Sequence, residues 1–339
     1  MHDVIVIGAG VAGLQCARRL RSAGADVLVL ERSKKVGGRC ATRRFEGLPA
    51  DYGPLFLHGS DPAFLAALDA VGGARPLAGW PQRIAGSGQP CQPSAFAPNE
   101  RRLAFGEGLD AFPQALAEGL AVRLSTQVST LSSEGGVLVV RSEDRQGFSA
   151  REVVLAMALE QSLPFLRMLP SGRERDGAIG LLEMFASLPC LTVIAGYAAA
   201  LRPPGWDVMY PEGSHELLLI GNESSKRPGG GPLCMVYQAP PHWSWERLEQ
   251  PKERWSRELL SHAGSLLGGW AAEPEWLHAH RWRYGRLDPA DELAGPLQLS
   301  GEWGRLGLAG DLFAPGGGVQ AAWRSGDRLA ERILADPLP

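Results

Sequence analysis

Three glycines, Gly8, Gly10 and Gly13, and one acid, Glu31, stand at spacings that suit a dinucleotide. Gly8 allows a tight turn, Gly10 lets a pyrophosphate approach bare backbone, and Gly13 lets a helix pack closely on a strand. A helix starting here, with Val11 and Ala12 in its first turn, offers free N–H groups and a positive dipole end to phosphates. Glu31 can accept hydrogen bonds from both hydroxyls of a ribose. Arg32 follows it, and Gly37-Gly38-Arg39 forms a second turn. There Gly38 can bring backbone to the same pyrophosphate, and Arg39 can add a charge-assisted hydrogen bond; by composition alone the stretch also reads as a solvated basic loop. A second cradle closes the chain: Gly307–Gly310, Asp311, then Gly316-Gly317-Gly318-Val319-Gln320. Asp311 is placed to bond a sugar hydroxyl. The N–H groups around Gly318, Val319 and Gln320 point along a helix dipole that stabilises developing negative charge.

The elements that must position these residues are legible around them. Asp3–Ile7 reads as a buried strand, the helix runs to about Gly24, and Asp26–Leu30 is a second strand. Asp61-Pro62 caps a helix to about Val71. Leu109–Gly119 reads as a helix, Val122–Ser125 and Gln127–Ser133 as strands, and Val137–Arg141 as the return of a hairpin. Arg151–Ala156 re-enters the sheet, and Ala321–Leu334 is the last helix. Between them, helices at Leu159–Leu169 and Arg173–Leu188 precede three strands, Cys190–Tyr197, Glu216–Gly221 and Leu233–Gln238. A helix at Pro251–Leu267 and a strand at Trp276–Trp282 follow. The predicted fold class is α/β: a Rossmann-type dinucleotide-binding domain interleaved with an α+β substrate domain built on an antiparallel sheet. The first takes residues 1–71, 109–158 and 285–339, the second 72–108 and 159–284.

Composition sets the outer bounds. The chain of 339 residues has 45% hydrophobic and 21% charged residues and a net charge of −3, ordinary for a globular enzyme and against a nucleic-acid surface. Only Lys34, Lys35, Lys226 and Lys252 are lysines among 34 basic residues. The five cysteines, Cys16, Cys40, Cys91, Cys190 and Cys234, form no CxxC pair and suit a reducing compartment. No metal-ligand spacing and no membrane-length apolar run is visible. The expectation is a cytoplasmic protein, monomer or homodimer, with a small-molecule substrate and no nucleic-acid or membrane partner.

The two cradles, with GAGVAG and Glu31, GGR at 37–39, Asp51-Tyr52-Gly53, the strand REVVLA and GLAGDLF with GGGVQAAWRSG, resemble the FAD-binding fold of the flavin amine oxidase group. The resemblance implies noncovalent FAD as cofactor, held by Gly8, Gly10, Ala12, Gly13, Glu31, Arg32, Gly38, Arg39, Asp51, Tyr52, Gly53, Val128, Gly310, Asp311, Gly318 and Val319. In that group the position of Val128 meets the adenine, and the last helix aims at the flavin. Within the group the chain is most similar to the renalases, especially bacterial ones. The similar pieces are ADYGPLFLHGSDPAFL, the turn from Asn222 to Pro228, and His280-Arg281-Trp282-Arg283-Tyr284. It departs from them at Leu55–His58, at Gly318–Ala321 and at Met157-Ala158.

What the renalase resemblance implies is an FAD-dependent oxidase that takes a hydride from isomeric dihydronicotinamides and passes the electrons to dioxygen, giving hydrogen peroxide. Loss of hydride leaves an aromatic pyridinium, so the reaction needs little acid–base help. His280, Trp282 and Phe56, and then His58, are the candidates for the substrate face. Sheet-core packing for the first three, and a backbone-bonded loop histidine for His58, are the structural alternatives. Two other functions fit the same cradles. One is a flavin amine oxidase or desaturase acting on a small amine or specialised metabolite. Amine oxidases place a lysine near the flavin, and only Lys226 and Lys252 lie outside the cofactor region; one sits in a turn and the other heads a helix. The other is a non-catalytic FAD-fold binding protein.

Overall fold

The structure is a computed structural model, and it describes residues 1–45, 47–88, 93–227 and 231–336. Cys91 and the end of the Asn222–Pro228 turn lie outside the described residues. The chain divides into two compact units, one of residues 1–40, 112–187 and 287–339, the other of 41–111 and 188–286.

The first unit is built on an eight-stranded sheet. Its centre is parallel: His2–Ile7 lies between Val27–Leu30 and Gly147–Leu155, and Gly304–Leu308 pairs with the latter. These strands are continuous apolar runs because both faces are covered; Ile5, Val29, Val153 and Leu306 are fully buried. The hairpin of Val128–Glu134 and Val137–Ser142 extends one edge antiparallel, and Ala121–Arg123 adds to the other edge in parallel. Leu297–Gly301, which the sequence left unassigned, pairs antiparallel with Gly304–Leu308. Helix Val11–Ser22 packs on helix Gly318–Ala335. Their approach is so close that a Cβ on Gly326 would lie 2.1 Å from the Ala12 carbonyl oxygen.

The second unit holds a six-stranded sheet in the order Trp276–Arg286, Leu188–Gly196, Cys234–Gln238, Leu219–Asn222, Val208–Met209, Ile84–Ala85. All its pairs are antiparallel except the last. Alternation splits its residues. Leu191, Val193, Met235, Tyr237 and Ala279 pack with Trp255, Leu259 and Leu260 of helix Lys252–Leu267. The opposite face carries His278, His280 and Trp282. A hairpin, Thr42–Phe45 with Leu48–Asp51, and a three-stranded sheet complete the unit.

The predicted domain limits therefore shift in two long stretches, with residues 109–111 and 285–286 also passing to the second unit. Residues 41–71 join the second unit, because strand Leu57–Gly59 hydrogen-bonds to Arg101–Phe105 and the 42–51 hairpin is tied to Leu109 and Asp110. Residues 159–187 join the first, because helices Leu159–Met168 and Arg173–Leu182 bury Leu163, Leu166 and Leu182 in its core. The second of these helices stops at Leu182, short of the expected Leu188. Glu160 takes the backbone N–H and hydroxyl of Ser187 at 2.6 and 2.9 Å and pulls the chain out of helix.

Candidate functional site

The N-terminal turn has the geometry its glycines require. Gly8 sits at φ +108°, and a Cβ there would meet the Ala156 carbonyl oxygen at 2.4 Å. On Gly13 a Cβ would meet the Gly8 carbonyl oxygen at 2.1 Å. Gly10, by contrast, has nothing within 4 Å of where its Cβ would be. It caps helix Val11–Ser22 without a side-chain partner, so the N–H groups of Val11 and Ala12 are left for a ligand. Gly38, at φ +55°, would bring a Cβ to 3.2 Å from the Gly10 Cα, and the Gly37 N–H donates to the Ala9 carbonyl at 2.8 Å. The two glycine turns are thus one backbone cradle. Glu31 is buried at the strand tip, accepting the Ala9 and Ser33 N–H groups at 2.8 Å each. Its two oxygens have about four acceptor sites between them, so capacity remains for ribose hydroxyls. Arg32 is exposed, and Val128 is half-buried at the start of its strand.

The C-terminal cradle is tied to the first through one ion pair. Arg39 donates to both oxygens of Asp311, at 2.7 and 2.6 Å. Asp311 holds the guanidinium above its ordinary range, against the opposing effect of burial. The sequence assigned these two side chains to a phosphate and a sugar separately; the fork between them was not foreseen. Gly310 donates its N–H to Ser325 Oγ at 2.9 Å, fixing the strand end to the last helix. Gly316, Gly317 and Gly318 have φ of +92°, +60° and +67°, and a Cβ on Gly316 or Gly317 would meet nothing within 4 Å. The helix begins at Gly318, three residues before the predicted start, so Val319 and Gln320 are already in its first turn. Two open glycine cradles at helix N-termini, with an acid at a strand tip, fit a dinucleotide such as FAD.

Asp51, Tyr52, Gly53 and all four substrate-face candidates belong to the second unit. Tyr52, His280 and Trp282 come together: the Tyr52 and Trp282 rings stack at 5.3 Å, and His280 sits edge-on to both, at 4.9 and 4.3 Å. Trp282 Nε1 donates to the Tyr52 carbonyl at 2.8 Å and fixes the indole plane. Gln238 holds the Gly53 carbonyl at 2.6 Å. Phe45 extends the row, stacked on Trp276 at 4.3 Å. Burial, then the charge of Lys252, pushes His280 down to about 4; burial, then Arg43, does the same to His278. Phe56 and His58 lie in a different aromatic group, with Trp80 and Phe96 around Phe56. His58 Nδ1 meets Glu100 at 3.3 Å, both side chains nearly buried. A backbone partner, the structural alternative for His58, is replaced by a carboxylate.

Sequence reasoning missed a buried charge cluster. Lys226 is fully buried, with Nζ 2.7 Å from Asp51 Oδ2, 2.7 Å from Glu223 Oε1 and 2.7 Å from the Leu55 carbonyl. The Trp80 ring lies 4.5 Å from the same nitrogen. Asp51 also accepts the Thr42 hydroxyl at 2.5 Å and the Leu109 N–H at 2.9 Å. Its carboxylate, assigned to the cofactor by resemblance, is committed to holding the fold. Burial alone would depress Lys226; the two carboxylates outweigh it and keep the ammonium charged. Burial raises the Glu223 carboxyl, and Lys226 only partly offsets that. The turn placement expected for Lys226 holds, as a short helical turn Glu223–Lys226. The available signal was its rarity: one of four lysines in an arginine-rich chain, three residues after a glutamate.

The chain matches known families over most of its length. Residues 6–71 match the model of an NAD(P)-binding Rossmann-like domain, and residues 91–334 that of flavin containing amine oxidoreductase. Among curated proteins it is 41% identical over 76 residues to (S)-6-hydroxynicotine oxidase of Paenarthrobacter nicotinovorans, covering 21% of this chain and 18% of that protein. It is 40% identical over 71 residues to putrescine oxidase of Kocuria rosea, covering 21% and 15%. The aligned stretch thus spans less than a fifth of these relatives. Among solved structures, cyclohexylamine oxidase from Brevibacterium oxydans superposes with a TM-score of 0.74 over 99% of both chains at 15% identity, a likeness of fold. The family match covers well over half of the residues and includes the C-terminal cradle; the chain belongs to the flavin-containing amine oxidoreductases, and its cofactor is FAD.

Proposed function

We propose that this protein is a renalase-like oxidase that takes a hydride from isomeric dihydronicotinamides, with dioxygen as final acceptor and hydrogen peroxide as product. FAD, bound noncovalently, supplies the hydride acceptor. The observation that carries the reading is the state of Lys226. An ammonium has three N–H donors, and three acceptors surround this one at 2.7 Å. Its Nζ is fully buried, hydrogen-bonded to Asp51 and Leu55 and ion-paired with Glu223, which argues against a role in holding a water for amine chemistry, and Lys252 is exposed at the head of its helix. The second unit instead offers a neutral aromatic face. His280 stays uncharged above a pH of about 4. The Trp282 plane is fixed by its bond to Tyr52, so the face is suited to stacking a flat ring. Its work is orientation and exclusion of water, which suffices when the substrate gains aromaticity by losing hydride.

The second reading, an amine oxidase or a desaturase, is favoured by the relatives named for putrescine and 6-hydroxynicotine. Anaerobic mixing of the yellow holoenzyme separates the two. Dihydronicotinamides reduced at ring carbon 2 or 6 should bleach the flavin within seconds, and simple amines should not. Bleaching by amines alone refutes the proposal. A purified protein that never carries flavin refutes both readings.

A further inference from the structure

Strand register places three residues of the second unit's sheet in one row. Thr192 stands opposite His280 on one side and Gln238 on the other. Directly opposed residues share a face, so His280, Thr192 and Gln238 line the face that also carries Trp282. Neighbouring strands lie about 4.8 Å apart, which puts Gln238 about 10 Å from His280 along the row. Tyr52 and Gly53 bridge that gap. At one end the Tyr52 ring lies 4.9 Å from the His280 ring and 5.3 Å from that of Trp282. At the other, the Gly53 carbonyl accepts from Gln238 Nε2 at 2.6 Å.

Residues 52–55 belong to no strand, so no ladder satisfies their carbonyls, and side chains do so instead. Trp282 Nε1 holds the Tyr52 carbonyl at 2.8 Å, Gln238 that of Gly53, and Lys226 Nζ that of Leu55 at 2.7 Å. The Tyr52 N–H donates to the Ala41 carbonyl at 3.3 Å. Leu55 is pressed onto the sheet: a Cβ on Gly221 would lie 2.4 Å from its Cδ1. Pro54 has its φ fixed by its ring. Gly53, between the buried Tyr52 and this anchored end, is the residue with the widest backbone freedom, and so the natural hinge. Gln238 reaches it from a strand that is paired on both sides, and is itself buried.

We propose that Gln238 is a positioning residue: by locking the Gly53 hinge it sets the angle at which the Tyr52 ring meets His280 and Trp282, and with it the plane in which the ring of the substrate lies. This rests on the reading that the Tyr52–His280–Trp282 face takes the substrate ring, and adds the residue that keeps the face in shape. Glutamine suits the task as an uncharged donor on a side chain long enough to cross from the sheet to the segment above it, so the lock places no charge beside the aromatic face.

The test uses the FAD-loaded enzyme and two variants. Gln238→Met keeps the length of the side chain and removes the donor; Gln238→Asn keeps the amide but ends one methylene short of Gly53, and carries the test if the first fails to fold. Amide hydrogen exchange is followed on the peptide covering Tyr52–Phe56, with strands Leu188–Gly196 and Cys234–Gln238 as the internal reference. Exchange in the first should speed at least about tenfold while the reference strands stay protected. Anaerobic flavin bleaching by a ring-isomeric dihydro-NAD is then read per bound flavin. The limiting rate should fall roughly tenfold, with the half-saturating concentration within about threefold of the parent, because a tilted platform still binds the ring but holds it out of line. A limiting rate that does not change, or exchange that is unchanged or speeds evenly across the reference strands, overturns the inference while leaving the proposed function in place. If no dihydronicotinamide bleaches the flavin even in the parent, the functional reading falls and exchange alone decides. A local gain in exchange then still supports the lock, and an even or absent change overturns it.

Discussion

Replacing Lys226 by methionine tests the buried cluster directly. The side chain is fully enclosed, and among the described residues it is the ion-pair partner of both Asp51 and Glu223, each about 1% exposed. Methionine keeps the volume but leaves two carboxylates facing each other without a counter-ion. Breaking a buried ion pair by removing one partner costs about 3–5 kcal/mol. For a unit of this size, that corresponds to a fall of about 10 °C in the melting midpoint. The deficit must also depend on pH. Burial already raises Glu223, and without the ammonium it rises further. A carboxyl raised in the native state stabilises it below the unfolded pKa and loses that contribution as pH rises through the folded value. The deficit of Lys226→Met should therefore be smallest near pH 5 and grow toward pH 8. Adding Glu223→Gln removes one of the stranded charges and should recover a large part of the loss. Thermal melts of the three proteins at the two pH values decide the matter. A single-variant cost below about 1 kcal/mol, or a cost that does not change with pH, would refute the sealed ion cluster and with it the argument that Lys226 is withdrawn from chemistry.

Gly10→Val and Gly13→Val should behave oppositely. The first enters open space at a φ of −78° and should fold normally yet retain FAD at least about tenfold more weakly, read as flavin fluorescence released on dilution; the second meets the Gly8 carbonyl at 2.1 Å and should fail to fold. Arg39→Met removes both bonds to Asp311 and should lower stability by about 1 kcal/mol, and Asp311→Asn should weaken FAD retention in the same assay. His278 and His280 are held near 4, well below an unfolded histidine, so the unfolded chain takes up protons first as pH falls from about 6.5 to 4. Stability should fall through that window, and His280→Asn should flatten the slope of the urea midpoint against pH.

The parts legible in the sequence are those whose constraint is local. Gly8, Gly10, Gly13 and Glu31 could be assigned because a strand, a turn and a helix within one βαβ unit fix what each residue must do. The parts that stayed hidden are pairings over long sequence separation. Arg39 and Asp311 are each recognisable as cradle residues, but nothing local says that they bond to each other. Asp51 and Lys226 are 175 residues apart. The 42–51 hairpin was unreadable for a different reason. Thr42 and Arg44 share the side that satisfies Asp51 and Asp110, so this side of the strand carries polar residues in place of the usual apolar ones. The same inversion hid Arg43 and Phe45, the two residues that the edge strand carrying His280 and Trp282 uses as neighbours.

The acid–base character of the second unit separates the two functional readings by one further measurement. An alkylammonium substrate has a pKa near that of lysine, about 10, and must lose a proton before it can give up hydride. Its acceptor would have to come from this face, where His278 and His280 are held near 4. A base six units weaker than the acid it must deprotonate contributes little at neutral pH. Lys226 is charged and buried between Asp51 and Glu223. A dihydronicotinamide meets none of these obstacles, because hydride leaves from a neutral ring and no proton moves with it. The limiting rate of flavin bleaching by a dihydronicotinamide should therefore be flat from pH 6 to 9. A rate that climbs about tenfold per pH unit across that range would mean that an ammonium or another weak acid must ionise first, and would move the assignment to the amine oxidase side of the family.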